Sequence, residues 1–268
     1  MWLVDFLRNL GANLSPFLLK WRENSSGQHP DDDLLDQAIS VWVDSGRIRI
    51  DTKDTQPVYR VRTEQRLSLD YYKNNIIHFF VPASLVCASC LANGEKRVDK
   101  ETIVRDIMLA CRLYRWEFIF RGDPSDDETE LHKEADKIVS EALQLLAKLK
   151  IVTIDDNHVA IADRLKASFI SNILRGFHEI YFATICATKE KALSGANGNS
   201  QQRVKVFTDE QLAEKRFFNP ETYIRLNIQT AVQSIKEMKI ISAKANAFEE
   251  GQQGDRVHRY LKAIIDLQ

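Results

Sequence analysis

A chain of 268 residues with 44% hydrophobic content can bury one large core or two modest ones. Its 37 Lys and Arg nearly balance 38 Asp and Glu, so the basic excess that marks a nucleic-acid partner is missing and no nucleic acid is expected. Four cysteines are too few for a dense disulfide framework and point to a reducing compartment.

The start, Met1-Trp-Leu-Val-Asp-Phe-Leu-Arg8, lacks the basic region and long apolar core of a secretory signal. From Asp31 to Val43 an acidic first turn leads into an apolar stripe, which predicts a helix. A second helix is expected from about Leu67 to Phe80, with Leu69, Tyr72, Ile76 and Phe79 on one face. The mainly apolar run from Ile76 to Ala92 contains His78, Pro82, Ser84 and Ser89 and is shorter than the ~20 residues of a spanning helix. It reads instead as a buried or interfacial helix pair bent at Pro82. Asp99 is placed to cap a helix from Lys100 to Leu113, and Ser125-Asp-Asp-Glu128 forms a capping box for a helix reaching about Leu149. The longest helical pattern runs from Asp163 to about Leu193, with Phe169, Ile173, Phe177, Ile180 and Tyr181 at helical spacing. Ser194-Gly-Ala-Asn-Gly-Asn-Ser-Gln-Gln202 reads as a flexible linker, Thr208-Asp-Glu-Gln211 as a second capping box, and Asn219-Pro220 as a cap with proline at the first helical position. A last helix is expected from Asp255. The fold class is therefore mainly α with short β-hairpins (α+β). It divides into connecting helices and a first hairpin (1–66), a helical domain with a hairpin (67–193), and a C-terminal helical subdomain (194–268).

Ala38–Ile50, Ala142–Ile154 and Ala231–Ala243 align without gaps and share one theme. Each has apolar residues at its second position (Ile39, Leu143, Val232) and its fifth (Trp42, Leu146, Ile235), then a basic residue followed by isoleucine (Arg47-Ile48, Lys150-Ile151, Lys239-Ile240), the first of these pairs standing one position later than the others. An amphipathic helix thus ends and the chain turns at once into a short strand. Hairpins are predicted after the first two, at Arg47–Arg62 and Ile151–Ala162. Winged-helix units end this way, and so does any helix packed on a hairpin. If the units are winged-helix-like, the balanced charge favours protein docking over DNA.

Chemistry is sparse. Cys87-Ala-Ser-Cys90 has CxxC spacing, but no second pair completes a zinc site and its apolar neighbours predict buried thiols. His158 and Asp163 stand in the His-x4-Asp spacing of glycerolipid acyltransferases, where the aspartate orients an imidazole that takes a proton from the acceptor hydroxyl. Here the histidine opens a predicted strand, the aspartate caps the next helix, and no phosphate-binding block follows, so the pair is read as a chance match. Asp123-Pro-Ser-Asp-Asp-Glu-Thr-Glu130 clusters five carboxylates without the glycine and alternation of a calcium loop, and serves better as a helix N-terminus. No P-loop, GxGxxG, GxSxG or HExxH is present, and no catalytic residue, metal site or cofactor is assigned. What remains is Leu69-Asp-Tyr-Tyr-Lys-Asn-Asn-Ile-Ile-His78, where Asn74 and Asn75 sit in mid-helix at a propensity cost. With Tyr71, Tyr72 and His78 they form a polar seam, hydrogen-bonding either to a ligand or to another helix or domain.

That segment, continued through Phe79-Phe-Val-Pro-Ala-Ser-Leu85, resembles the C-terminal region of membrane-bound glycerol-3-phosphate 1-O-acyltransferases, where Tyr-Tyr-(Arg/Lys)-Asn-Asn-x-x-His leads into an apolar Pro-x-x-Leu stretch. The similarity continues through Tyr114-Arg-Trp-Glu-Phe-Ile-Phe-Arg121, the helix and hairpin to His158, and Phe218-Asn-Pro-Glu-Thr-Tyr-Ile224 as far as Ile241. The resemblance implies a non-catalytic region, the acyltransferase domain with its own His-x4-Asp pair and arginine-rich block being absent. It implies that domain as partner, with the seam of Tyr71, Tyr72, Asn74, Asn75 and His78 facing it. It also implies a peripheral place on the cytoplasmic side of a membrane, touching the membrane surface through the complete enzyme, and solubility when the chain is expressed alone. A free-standing winged-helix interaction or DNA-binding protein is the alternative.

Overall fold

The computed structural model describes residues 37, 39–53, 56–66, 68–69, 77–94, 97–118, 120, 127–194, 200–240 and 252–266. It divides into two units, Met1–Phe79 and Phe80–Gln268.

In the first unit a helical stretch over 39–44 turns at Gly46 into an antiparallel hairpin of β1 (Ile48–Lys53) and β2 (Gln56–Val61). The register pairs Ile48 with Val61, Arg49 with Arg60, Ile50 with Tyr59 and Asp51 with Val58. Side chains alternate along a strand, so Ile48, Ile50, Tyr59 and Val61 share one face while Arg49, Arg60 and Asp51 share the other. Short 3-10 turns follow at Thr63–Gln65 and Ile77–Phe79.

The second unit is built around two helices. The first, α1 (Val81–Ala92), is apolar almost all round and buries nearly every side chain, as a helix enclosed on all sides must. Around it lie α2 (Lys100–Leu113), α3 (Glu128–Lys148), α4 (Arg164–Ser171) and α8 (Gln252–Ile265). The other central helix is α5 (Arg175–Ser194), against which α6 (Ser200–Ala213), α7 (Arg225–Glu237) and α8 pack. A small antiparallel sheet of β3 (Val98–Asp99), β4 (Val152–Asp155) and β5 (His158–Ile161) has the order β3-β5-β4. The α+β class holds. Among the described residues no helix is long and apolar enough to cross a membrane.

The thrice-repeated theme is a helix C-cap. The amides of Arg47, Ile151 and Ile240 donate to the carbonyls of Trp42, Leu146 and Ile235 at 2.9, 2.9 and 3.0 Å. The residue before each amide, Gly46, Lys150 or Lys239, takes positive φ (70°, 56° and 55°) and donates three residues back. These are Schellman caps, and the buried pairs Leu146–Ile151 and Ile235–Ile240 supply the apolar contact that accompanies them. A fourth, which the alignment misses, sits at Lys215 (φ 58°), where the Arg216 amide reaches the Gln211 carbonyl. Hairpins follow the first two caps; residues 241–250 after the third lie outside the described residues.

Several local expectations need correction. Pro82 lies in the first turn of α1 and bends nothing, because its missing N–H is not required there. The pattern over 163–193 breaks into α4, a 3-10 turn (Asn172–Leu174) and α5, and just before the break the Ile170 carbonyl accepts the Ser84 hydroxyl of α1 at 2.8 Å. Asp99 stands at the N-cap of α2 without a side-chain cap, and the Lys100 amide at the first helical position donates to the Asn157 carbonyl in the β4–β5 turn. Asp127 is the cap of α3, taking the amides of Thr129 and Glu130. Thr208 lies inside α6 and turns its hydroxyl to the Lys205 carbonyl, so it starts no helix. Ser200, inside the expected linker, already begins α6.

Candidate functional site

Arg175, His178, Glu179 and Tyr181 project from the first two turns of α5, and all four are buried. Burying so many polar groups on one helix is costly unless each is bonded. Glu179 is wholly enclosed and accepts four hydrogen bonds. Its Oε1 takes Arg175 Nε at 2.8 Å and the Phe218 amide at 3.2 Å, while Oε2 takes Asn219 Nδ2 at 3.1 Å and the Tyr223 hydroxyl at 2.6 Å. Four donors occupy both oxygens. Asn219, expected as a helix cap, makes no cap bond and serves this carboxylate instead. Arg175 also reaches the carbonyls of Arg216 and Ile265, each at 3.4 Å, and stacks its guanidinium over the Phe218 ring. Burial first, then the neighbouring Glu179 charge, drives the Tyr223 hydroxyl far above its ordinary pKa.

A second polar layer lies beside it. The Tyr114 hydroxyl and His178 Nδ1 are 2.5 Å apart, and both side chains are fully buried. Burial, aided by Arg175, lowers the His178 pKa to about 3 and keeps the ring neutral. Its Nε2 has no hydrogen-bond partner among the described residues. The Tyr181 hydroxyl donates to Glu117 Oε1 at 3.1 Å, and burial raises the Glu117 pKa to about 7. At the rim Trp116 Nε1 donates to Glu237 at 2.7 Å, and the Ser234 hydroxyl donates to the Leu113 carbonyl, tying α7 to the end of α2.

This cluster clamps chain segments together. A nucleophilic triad would need an acid on the far nitrogen of His178, and none of the described carboxylates bonds there. Among the described residues no group of three His, Cys, Asp or Glu could hold a metal ion. Cys87, Cys90 and Cys111 are free, buried thiols, and burial raises the Cys90 pKa to about 12, as expected for inert cysteines.

Of the residues picked from sequence, those that are described lie elsewhere. Tyr71, Tyr72, Asn74 and Asn75 lie outside the described residues. His78 is exposed in the 3-10 turn Ile77–Phe79, its ring centroid 3.8 Å from that of Phe79. His158 is exposed at the start of β5, paired with Asp99 and Asp155. Asp163 caps α4 by accepting the Lys166 amide at 3.0 Å, a bond that lowers its pKa. Of the acidic run, Asp127 caps α3, Glu128 pairs with Arg112 and Glu130 pairs with Lys133. Sequence reasoning missed Arg175, His178 and Glu179. The available signal was three ionisable residues inside an otherwise apolar helical run containing Phe177, Ile180 and Tyr181.

Residues 2–244 match the family described as glycerol-3-phosphate acyltransferase C-terminal region. The chain belongs to that family. A glycerol-3-phosphate acyltransferase of Shewanella sp. (strain W3-18-1) is 22% identical over 238 residues, which make up 85% of this chain and 27% of that relative. Two segments of this glycerol-3-phosphate acyltransferase C-terminal region, Tyr114–Glu117 and Phe218–Tyr223, converge on the start of α5. Helix α8 lies beyond the matched residues, yet its Ile265 carbonyl accepts from Arg175.

Proposed function

We propose that the chain is a non-catalytic accessory region of a glycerol-3-phosphate 1-O-acyltransferase. It supports acyl transfer from acyl-CoA or acyl-carrier protein to glycerol 3-phosphate, a step in phospholipid synthesis, and needs no cofactor of its own. The observation that supports an accessory role most directly is the engagement of both Glu179 oxygens with donors from the chain itself, which marks the polar cluster as a clamp. The partner is the upstream acyltransferase domain of a longer protein, located peripherally on the cytoplasmic side of a membrane. In this reading Tyr71, Tyr72, Asn74, Asn75 and His78 face that domain.

The order of elements supports a winged-helix-like reading of residues 81–161: helix, strand, helix, helix, then two strands, with β5 between β3 and β4. Helix α3, which would carry recognition in such a unit, shows Glu128, Glu130 and Glu141 beside Lys133, Lys137 and Lys148 on its exposed face. A mixed face favours a protein partner over duplex phosphates.

The test mixes the purified chain with its upstream domain. We expect no acyl transfer by the chain alone, restored transfer in the mixture, and weaker co-purification with Asn75→Leu. Robust turnover by the isolated chain, lost in His158→Ala, overturns the accessory role. Unchanged assembly and stability in Asn75→Leu overturns the seam.

A further inference from the structure

The hairpin of the first unit sets Arg49 directly opposite Arg60, a like-charge pair that costs a two-stranded ribbon stability. Asp51, on the same face, bridges them, meeting Arg60 Nε at 2.6 Å and Arg49 Nε at 3.3 Å. Val61 ends β2 and the chain continues through Arg62, Thr63 and Glu64 to Arg66, and these residues with Arg49 and Arg60 line a cleft of about 500 Å³. Among the described residues, four guanidinium groups thus line one cleft against two carboxylates, Glu64 in the lining and Asp51 on the Arg49–Arg60 pair, in a chain whose net charge is only -1. The side chains of Arg49 and Arg60 remain 60% and 56% exposed, so a solute can reach them.

Asp51 offsets part of the repulsion between Arg49 and Arg60, and an anion in the cleft would offset more of it. Guanidinium groups present planar N–H edges that match phosphate oxygens in pairs, and several of them around one concavity suit a group carrying two negative charges. We propose that this cleft binds a phosphate monoester. Arg49, Arg60, Arg62 and Arg66 form its cationic wall, Thr63 adds a hydroxyl, and Asp51 holds the Arg49–Arg60 pair together when no ligand is present. The site lies wholly within the first unit, and its tests read binding alone, so it stands or falls separately from the accessory role.

Two arms of one experiment, each on the full 268-residue chain, separate the sources of such a group. One titrates glycerol 3-phosphate as a soluble monoester by calorimetry. The other measures co-flotation with phosphatidylcholine vesicles containing phosphatidic acid, against vesicles matched in charge with phosphatidylglycerol, a diester. We expect saturable binding in at least one arm, weakened at least about tenfold by Arg49→Gln with Arg60→Gln, the loss expected when charge-assisted bonds are removed. Arg49→Lys with Arg60→Lys keeps the charge and guards against loss of folding; we expect it to melt like the parent and still to bind more weakly. Asp51→Asn, which removes a competing carboxylate, is expected to tighten binding. Binding in the soluble arm assigns a free metabolite, and binding in the phosphatidic acid arm alone assigns a lipid headgroup. No saturable binding in either arm overturns the proposal. So does binding indifferent to the arginine substitutions, or equal binding to phosphatidylglycerol vesicles or duplex DNA.

Discussion

Glu179 draws its four donors from its own helix, from the 218–219 turn and from Tyr223, so its loss is felt in three places at once. Glu179→Ala leaves Arg175 buried without its carboxylate and should cost about 3–5 kcal/mol in urea unfolding at neutral pH. Tyr223→Phe removes one charge-assisted bond and should cost about 2 kcal/mol. The second layer titrates. Glu117 moves from 4.5 up to about 7 on burial, so its contribution to stability is complete below pH 4.5 and is lost as pH rises through about 7. His178 moves from 6.5 down to about 3, so its contribution is complete above pH 6.5 and is lost as pH falls through about 3. Thermal melts across pH should therefore slope down on both sides. Glu117→Gln, which keeps a partner for Tyr181, should flatten the alkaline side alone, and His178→Phe the acid side alone. Beyond the four-residue spacing of Arg175 and Glu179, little of this could be read from the sequence, because the other partners of the buried groups lie 39 to 90 residues away.

Helix ends carry the information that was legible locally. The aligned segments around Gly46, Lys150 and Lys239 are the same Schellman cap written three times, and the gapless alignment found them because a cap fixes its own spacing. Lysine at positive φ is strained, and its replacement by glycine removes the clash of Cβ with the following carbonyl. Lys150→Gly should stabilise the second unit by about 1 kcal/mol, measured by urea unfolding. Gly176 is the opposite case. A Cβ there would lie 2.5 Å from Thr222 Oγ1, so α5 and the Pro220–Thr222 turn meet only because position 176 has no side chain. Gly176→Ala should cost about 1–3 kcal/mol despite better helix propensity, and Thr222→Ala in the same chain should recover most of it. The split of 163–193 was illegible for a related reason. Its apolar spacing continues without a break, while the Ser84 hydroxyl that meets the Ile170 carbonyl comes from a helix 86 residues earlier.

At the scale of the molecule, the second unit hangs on two helices, α1 and α5, with α8 packed against both. The fold class and most helices followed from apolar periodicity, and the family from the run Leu69–Leu85, whereas the caps expected at Asp99, Thr208 and Asn219 do not form. That the Tyr114 and Phe218 segments both end at α5 did not follow. Their meeting point is set by packing between elements far apart in the chain. The contact from Arg175 to the Ile265 carbonyl also orders events in time, because it spans 90 residues. As the polypeptide leaves the ribosome, α5 emerges with its charged pair and apolar flanks before α6, α7 and, last, α8 exist to cover them. The unit cannot close until residue 265 has been made, so until then the nascent chain presents α5 as a surface for chaperones to hold.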